Sequence, residues 1–212
     1  MSHTQLIPAR QFETEFTERS SRFITSAAPA FSVKEAKAFI RSIENKYPDA
    51  THHVPLYLIG HGSTTIEHCS DDGEPKGTAG RPALAVLKGS GLGDIVVVIT
   101  RYFGGTKLGT GGLVRAYSDS VRFLLEALPR ARKIPTITLM FVIPYNLFEQ
   151  TQMIINNHLA KVKDRAFGAD ITLSVRVAED HLESFQNHLV ELTRGQIAFI
   201  TLDQNANTIM PL

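Results

Sequence analysis

Apolar and polar positions along this chain change period several times, and each change predicts an element. Arg22–Pro29 reads as a first strand. Ser32-Val-Lys-Glu35 has the spacing of a capping box, in which a serine hydroxyl and a glutamate three residues on satisfy the first free N–H groups of a helix. Apolar Val33, Ala36, Phe39, Ile40, Ile43 and Tyr47 then recur at helical spacing until Pro48 stops them. Val54–Ile59 and Thr64–Cys69 predict a hairpin across Gly60-His61-Gly62-Ser63, and Thr78–Lys88 a helix of small residues. Ile95–Thr100 carries an unbroken apolar run, as expected of a strand covered on both faces. Gly112–Leu128 predicts a helix with Val114, Tyr117, Val121, Leu124, Leu125 and Leu128 turned inward. The predicted order is β-α-β-β-α-β-α.

Pro129–Pro135 has proline at both ends and basic residues between, a composition expected of a linker. It divides the chain into a domain over 1–133 and a second over 134–212. Beyond it the pattern restarts. Ile137, Leu139, Phe141 and Ile143 alternate along Thr136–Ile143; a helix is expected from about Tyr145 to His158 and a strand over Lys161–Ala166. Ile171, Leu173, Val175 and Val177 line another strand. Asp180-His-Leu-Glu183 is expected to cap a helix that turns Leu182, Phe185, Leu189 and Leu192 inward and ends at Gly195. Ile197–Leu202 is the last predicted strand, with the polar end Asp203–Leu212 expected to fray. This βαββαβ order is ferredoxin-like, so the fold class is α+β.

With 212 residues, 43% hydrophobic and 20% charged, the chain has the composition of a globular protein. No apolar run is long enough to span a bilayer, and MSHTQLIPARQFETEF lacks the basic-then-apolar order of a signal peptide. The single cysteine, Cys69, excludes an internal disulfide framework and a four-cysteine zinc site. A cytoplasmic location without membrane association is the expectation. The net charge of +1 is unevenly spread: residues 101–133 hold 7 basic and 2 acidic side chains, net +5, whereas 134–212 hold 5 and 8, net −3. A basic concentration of this kind attracts phosphate backbones. It is also compatible with a solvated helix face on which Arg115–Asp119 and Arg122–Glu126 pair locally.

Candidate chemistry gathers around the central strand. Gly104, Gly105, Gly109, Gly111 and Gly112 fall within nine residues and open into a helix, an arrangement that suits a phosphate cradle because free N–H groups at a helix start attract anions. No Gly-Lys-Ser/Thr triplet makes it a P-loop, and the dinucleotide pattern begun at Gly109 fails at Val114. Arg101, Tyr102 and Phe103 offer a cation and two stacking faces, a mixture suited to single-stranded nucleic acid; Lys107, Arg115 and Arg122 extend the phosphate contacts. Asp71, Asp72 and Glu74 could form a hard-metal or acid–base site, or an ordinary Asp-Asp-Gly turn; the spacing favours the turn. His52 and His53 are neighbours on a strand, so at most one enters any given site. The remaining histidines and Cys69 read as surface or packed residues. No catalytic residue, metal or cofactor is assigned.

SDDGEPKGTAGRP at Ser70–Pro82, which contains Asp71, Asp72, Gly73, Glu74, Pro75, Gly77, Thr78 and Gly80, and RYFGGTKLG at Arg101–Gly109 resemble the signatures of the IMPACT/YigZ family in order and spacing. Ser21-Arg22-Phe23-Ile24 and His52–His53 match its pattern as well, and the resemblance covers nearly the whole chain. It implies a first domain similar to the second domain of a small-subunit ribosomal protein, a fold shared with elongation factor G domain IV and the RNase P protein. The second domain it implies is similar to elongation factor G domain V. The eukaryotic IMPACT branch is associated with control of translation initiation; the RWD domain that accompanies it there is not expected here. The expectation is therefore a translation-linked regulatory protein that binds RNA or the ribosome, with a protein partner for the C-terminal domain. The rival expectation is an enzyme acting on a small phosphorylated or nucleotide ligand in a cleft between the two loops.

Overall fold

The computed structural model describes residues 5–211. Residues 1–4 and Leu212, on which parts of the leader and tail readings fall, lie outside the described residues. The chain forms two compact units, one running to Arg132 and including the end of the chain from Ile209, the other Lys133–Thr208.

The first unit is built from β1 (Leu6–Pro8), β2 (Phe12–Glu18), β3 (Ser21–Pro29), α1 (Val33–Lys46), β4 (His52–Ile59), β5 (Ile66–Cys69), α2 (Gly80–Gly89), β6 (Ile95–Tyr102) and α3 (Gly109–Ala127). Its main sheet has the order β2-β3-β6-β4-β5, with every neighbour antiparallel. The unbroken apolar run of β6 follows from its central place. Val97 and Ile99 face a core shared with Leu87 of α2 and Leu113, Tyr117 and Leu124 of α3, while Val96 faces Ala36 of α1 on the other side. Both sheet faces are thus covered, although the sheet is not a parallel one. The capping box forms as expected: Ser32 Oγ accepts the Glu35 N–H at 3.1 Å and Glu35 Oε2 accepts the Phe31 N–H at 2.9 Å.

The second unit contains β7 (Arg130–Ile143, entering it at Lys133), α4 (Phe148–Asn157), β8 (Lys161–Phe167), β9 (Ile171–Ala178), α5 (Leu182–Leu192) and β10 (Ile200–Pro211). Strand order β10-β7-β9-β8 is the ferredoxin-like arrangement. Leu139, Phe141, Val175 and Val177 from the sheet pack with Ile155 of α4 and Phe185 and Leu189 of α5.

Several expectations are corrected. Two strands precede the expected first one: β2, whose FETEFTE pairs along β3, and the short β1. The expected linker is in strand conformation from Arg130, because Arg130–Arg132 pair with Leu6–Pro8 and Ala131 is fully buried. Asp180 does not cap α5; Glu179–His181 form a single 3₁₀ turn and His181 precedes the helix without a side-chain cap. The tail does not fray through Pro211: it belongs to β10, which pairs with β7, and Thr136 and Thr208 share a hydroxyl hydrogen bond of 2.6 Å.

Candidate functional site

The end of β6 divides its residues by burial. Arg101 is 5% exposed, whereas Phe103, just beyond the strand, is 47% exposed. The Arg101 guanidinium donates through Nη1 to Glu74 Oε1 at 2.5 Å and through Nη2 to Ser21 Oγ at 3.3 Å, while its buried Nε has no partner among the described residues. Tyr117 of α3 donates to the same Glu74 oxygen at 2.7 Å, and His52 Nε2 stands 3.8 Å from it. Burial and the Glu74 carboxylate hold the Tyr117 phenol far above its ordinary range, so it remains a donor.

The three carboxylates of the first loop take separate roles. Asp71 accepts the N–H groups of Gly77 at 2.7 Å, Gly80 at 2.8 Å and Ala79 at 3.2 Å, thereby capping the start of α2 from a distance. Burial pushes its carboxyl up, but those three N–H groups, with the charge of Arg81, bring it below its ordinary value. Gly80 is required here, since a Cβ would lie 2.5 Å from the Ser70 carbonyl oxygen. Asp72 accepts the His53 N–H at 2.6 Å and offers its own carbonyl to His52 Nδ1 at 2.7 Å. The segment is a turn, closed by the Glu74 N–H on the Asp71 carbonyl at 3.0 Å and fastened to β4 by the Asp72 carboxylate, with Gly73 and Gly77 at positive φ and Thr78 Oγ donating to the Pro75 carbonyl. Only Glu74 reaches inward. Among the described residues no group of three or more His, Cys, Asp or Glu side chains is placed to hold a metal ion.

A cleft of about 460 Å³ opens where the two loops meet. Glu74 and Pro75 come from the first loop, Phe103 and Lys107–Thr110 from the second, and Thr51, His52, Arg101 and Leu113 complete its wall. Helix α3 starts at this cleft with no side-chain cap on Leu108 and no acidic residue in its first turn, which contains Gly111 and Gly112. No acidic residue of its own first turn offsets its first N–H groups and partial positive charge. The second loop is held against the β2–β3 turn: a Cβ at Gly104 would overlap the Ser20 backbone, and the Gly104 N–H donates to Ser21 Oγ at 3.2 Å. Gly105 and Gly109 have positive φ.

The cleft brings together Glu74, Arg101, Phe103, Lys107 and Gly109, but not every expected contact. Tyr102 donates to Asp49 at 2.9 Å and lies under the Arg22 guanidinium, 5.5 Å from its ring centroid. Arg115 is exposed beside a separate small cavity with Phe16, Glu18 and Gly112. Arg122 pairs with Asp119 at i,i+3, in place of the expected pairing with Glu126. His52 lines the cleft, whereas His53 bonds Thr100 and the Tyr47 carbonyl, each at 3.1 Å. Helical periodicity places Tyr117 in the core without a polar role; its hydroxyl in the middle of an apolar helix face is the signal in the chain for a buried polar partner. Nothing in the local pattern marked Thr51, whose Oγ accepts the Phe103 N–H at 3.0 Å.

The Impact N-terminal domain model matches residues 19–125, and a model described as a domain of unknown function, DUF1949, matches residues 141–196. The chain is 35% identical to the IMPACT family member YigZ of Escherichia coli (strain K12), over 94% of this chain and 98% of that protein. The chain belongs to the IMPACT family. It is 34% identical to Protein IMPACT of Bos taurus over 44% of this chain and 30% of that protein. A crystal structure of a hypothetical protein covers 96% of this chain and 99% of its own at 34% identity, with a TM-score of 0.64. The first-domain model spans both loops of the cleft and the whole of β6, so the site lies within the family's shared domain. Among the described residues no helix is long and apolar enough to cross a membrane.

Proposed function

We propose that this IMPACT-family chain is a translation-linked regulatory protein that binds RNA, free or within the ribosome, through phosphate groups held at the start of α3. The observation that carries the reading is the convergence of both motif loops on a cleft where α3 begins uncapped and Lys107 is exposed. Oriented N–H groups with a nearby cation are the elementary phosphate site. Exposed Arg115 extends the contact along α3, while Arg101 serves the fold through Glu74. The link to translation comes from the family, and the acidic residues 134–212, net −3, suit a protein partner better than RNA.

The deciding experiment measures single-stranded RNA affinity against salt for the wild type and for Lys107→Ala with Arg115→Ala, two exposed positions. Each lost phosphate contact is expected to weaken binding across sequences and to flatten the log–log salt slope by about 0.7. RNA affinity that is undetectable at low salt, or indifferent to the double substitution, overturns the reading.

One observation favours a second reading, an enzyme acting on a small phosphorylated ligand: Glu74, a carboxylate, shares the cleft with the glycine loop. A thermal-shift screen of phosphorylated metabolites followed by turnover assays tests it, since a ligand that binds the native state raises the melting temperature.

A further inference from the structure

We infer that the cleft holds one unpaired nucleotide, its base against the Phe103 ring and its phosphate between Lys107 and the start of α3. This rests on the phosphate-binding reading above and adds the class of ligand. The cavity, about 460 Å³, falls within the range of small-molecule sites and is large enough for a single nucleotide. Phe103 is apolar yet 47% exposed, and the Arg101 guanidinium stands 5.7 Å from its ring centroid. A cation over one face leaves the other for a planar partner. Leu108, Leu113 and Pro75 supply the apolar remainder of the wall.

The polar groups divide between the two ends of such a ligand. Lys107 and the uncapped N–H groups of α3 suit an anion. A second observation comes from within: Arg101 is 5% exposed and lines the same cleft, and its buried Nε–H has no partner among the described residues. A buried donor left unpaired is costly, and a ligand oxygen can relieve it. Glu74 takes its contacts from Arg101, Tyr117 and His52 on Oε1, so Oε2 is the atom available to a base N–H. Because the Arg101 charge neutralises Glu74, the carboxylate does not repel a phosphate on Lys107. A base inside a duplex has both faces stacked and cannot meet Phe103, so the ligand must be single-stranded or a free nucleotide.

The test is calorimetric titration of the full chain with AMP, adenosine, inorganic phosphate and a short oligo(A), alongside the same oligomer in a duplex. AMP is expected to bind at least tenfold tighter than either adenosine or inorganic phosphate, and the duplex more weakly than the single strand. Phe103→Ala is expected to lower AMP and oligo(A) affinity by about tenfold or more. Lys107→Ala lowers AMP affinity and its salt dependence but leaves adenosine unchanged. Inorganic phosphate binding as tightly as AMP, or oligo(A) affinity unchanged by Phe103→Ala, overturns the nucleotide inference. If Lys107→Ala still weakens oligo(A), the phosphate reading survives that result. A wild type that binds AMP in this pattern but no RNA keeps the inference and removes the RNA reading instead.

Discussion

Glu74 and Arg101, 27 residues apart in the chain, form an ion pair whose side chains are 3% and 6% exposed. The pair joins the first motif loop to the end of the central strand, with Tyr117 of α3 donating to the same carboxylate. Breaking a buried pair leaves one desolvated charge without compensation. Arg101→Met is therefore expected to cost about 3–5 kcal/mol in urea unfolding. Replacing both residues, Glu74→Met with Arg101→Met, removes both charges and is expected to cost less than Arg101→Met alone. A single-variant loss under about 1 kcal/mol would show that the pair does not hold the loop.

Asp71 gives a pH dependence of known sign. Its native carboxyl lies below the ordinary value because, against the opposing effect of burial, Gly77, Gly80 and Ala79 donate to it. The stability it contributes is complete above the unfolded carboxylate range, roughly pH 4, and is lost as pH falls through the lower native value. Asp71→Ala is expected to cost about 1 kcal/mol at pH 7, the usual effect of losing a helix cap. The gap from the wild type should close in acid. Parallel unfolding curves from pH 7 to pH 3 check this; a gap that stays constant to pH 3 contradicts the ionised cap.

Two glycines of one motif should respond in opposite directions. Gly104 abuts the Ser20 backbone, and Ser20 itself sits at φ +67° in a tight turn, so neither side can yield cheaply. Gly104→Ala is expected to lose more than about 2 kcal/mol. At Gly111, inside α3, an added Cβ meets nothing within 4 Å. Gly111→Ala is expected to gain up to about 1 kcal/mol by restricting the unfolded chain. Thermal melts of the two variants decide it, and equal shifts would contradict the packing described for Gly104.

Elements whose signals are local were legible in the chain itself. Ser32 and Glu35 complete their capping box through contacts that span four residues at most, so no distant partner was needed to predict α1. The alternation of Ile137, Leu139, Phe141 and Ile143 predicted the buried face of β7 because strand geometry imposes a period of two. Phe12 and Phe16 of β2, alternating with Glu13 and Glu15, carried the same kind of signal, weakened by the polar Thr14 between them on that face and by the poor strand propensity of glutamate.

Tertiary structure decided what depends on partners far along the chain. Arg130–Arg132 extend the strand of the second unit where Leu6–Pro8, more than 120 residues earlier in the chain, pair with them. Three carboxylates within four residues are chemically alike in the sequence; Asp71 and Asp72 turn to nearby N–H groups, and Glu74 alone meets a buried guanidinium. Arg101 reads as a surface cation until Glu74 and Ser21, the latter 80 residues away, enclose it. Periodicity and caps are written within a few residues by backbone geometry, whereas the burial of a charge depends on which distant groups arrive to replace its water.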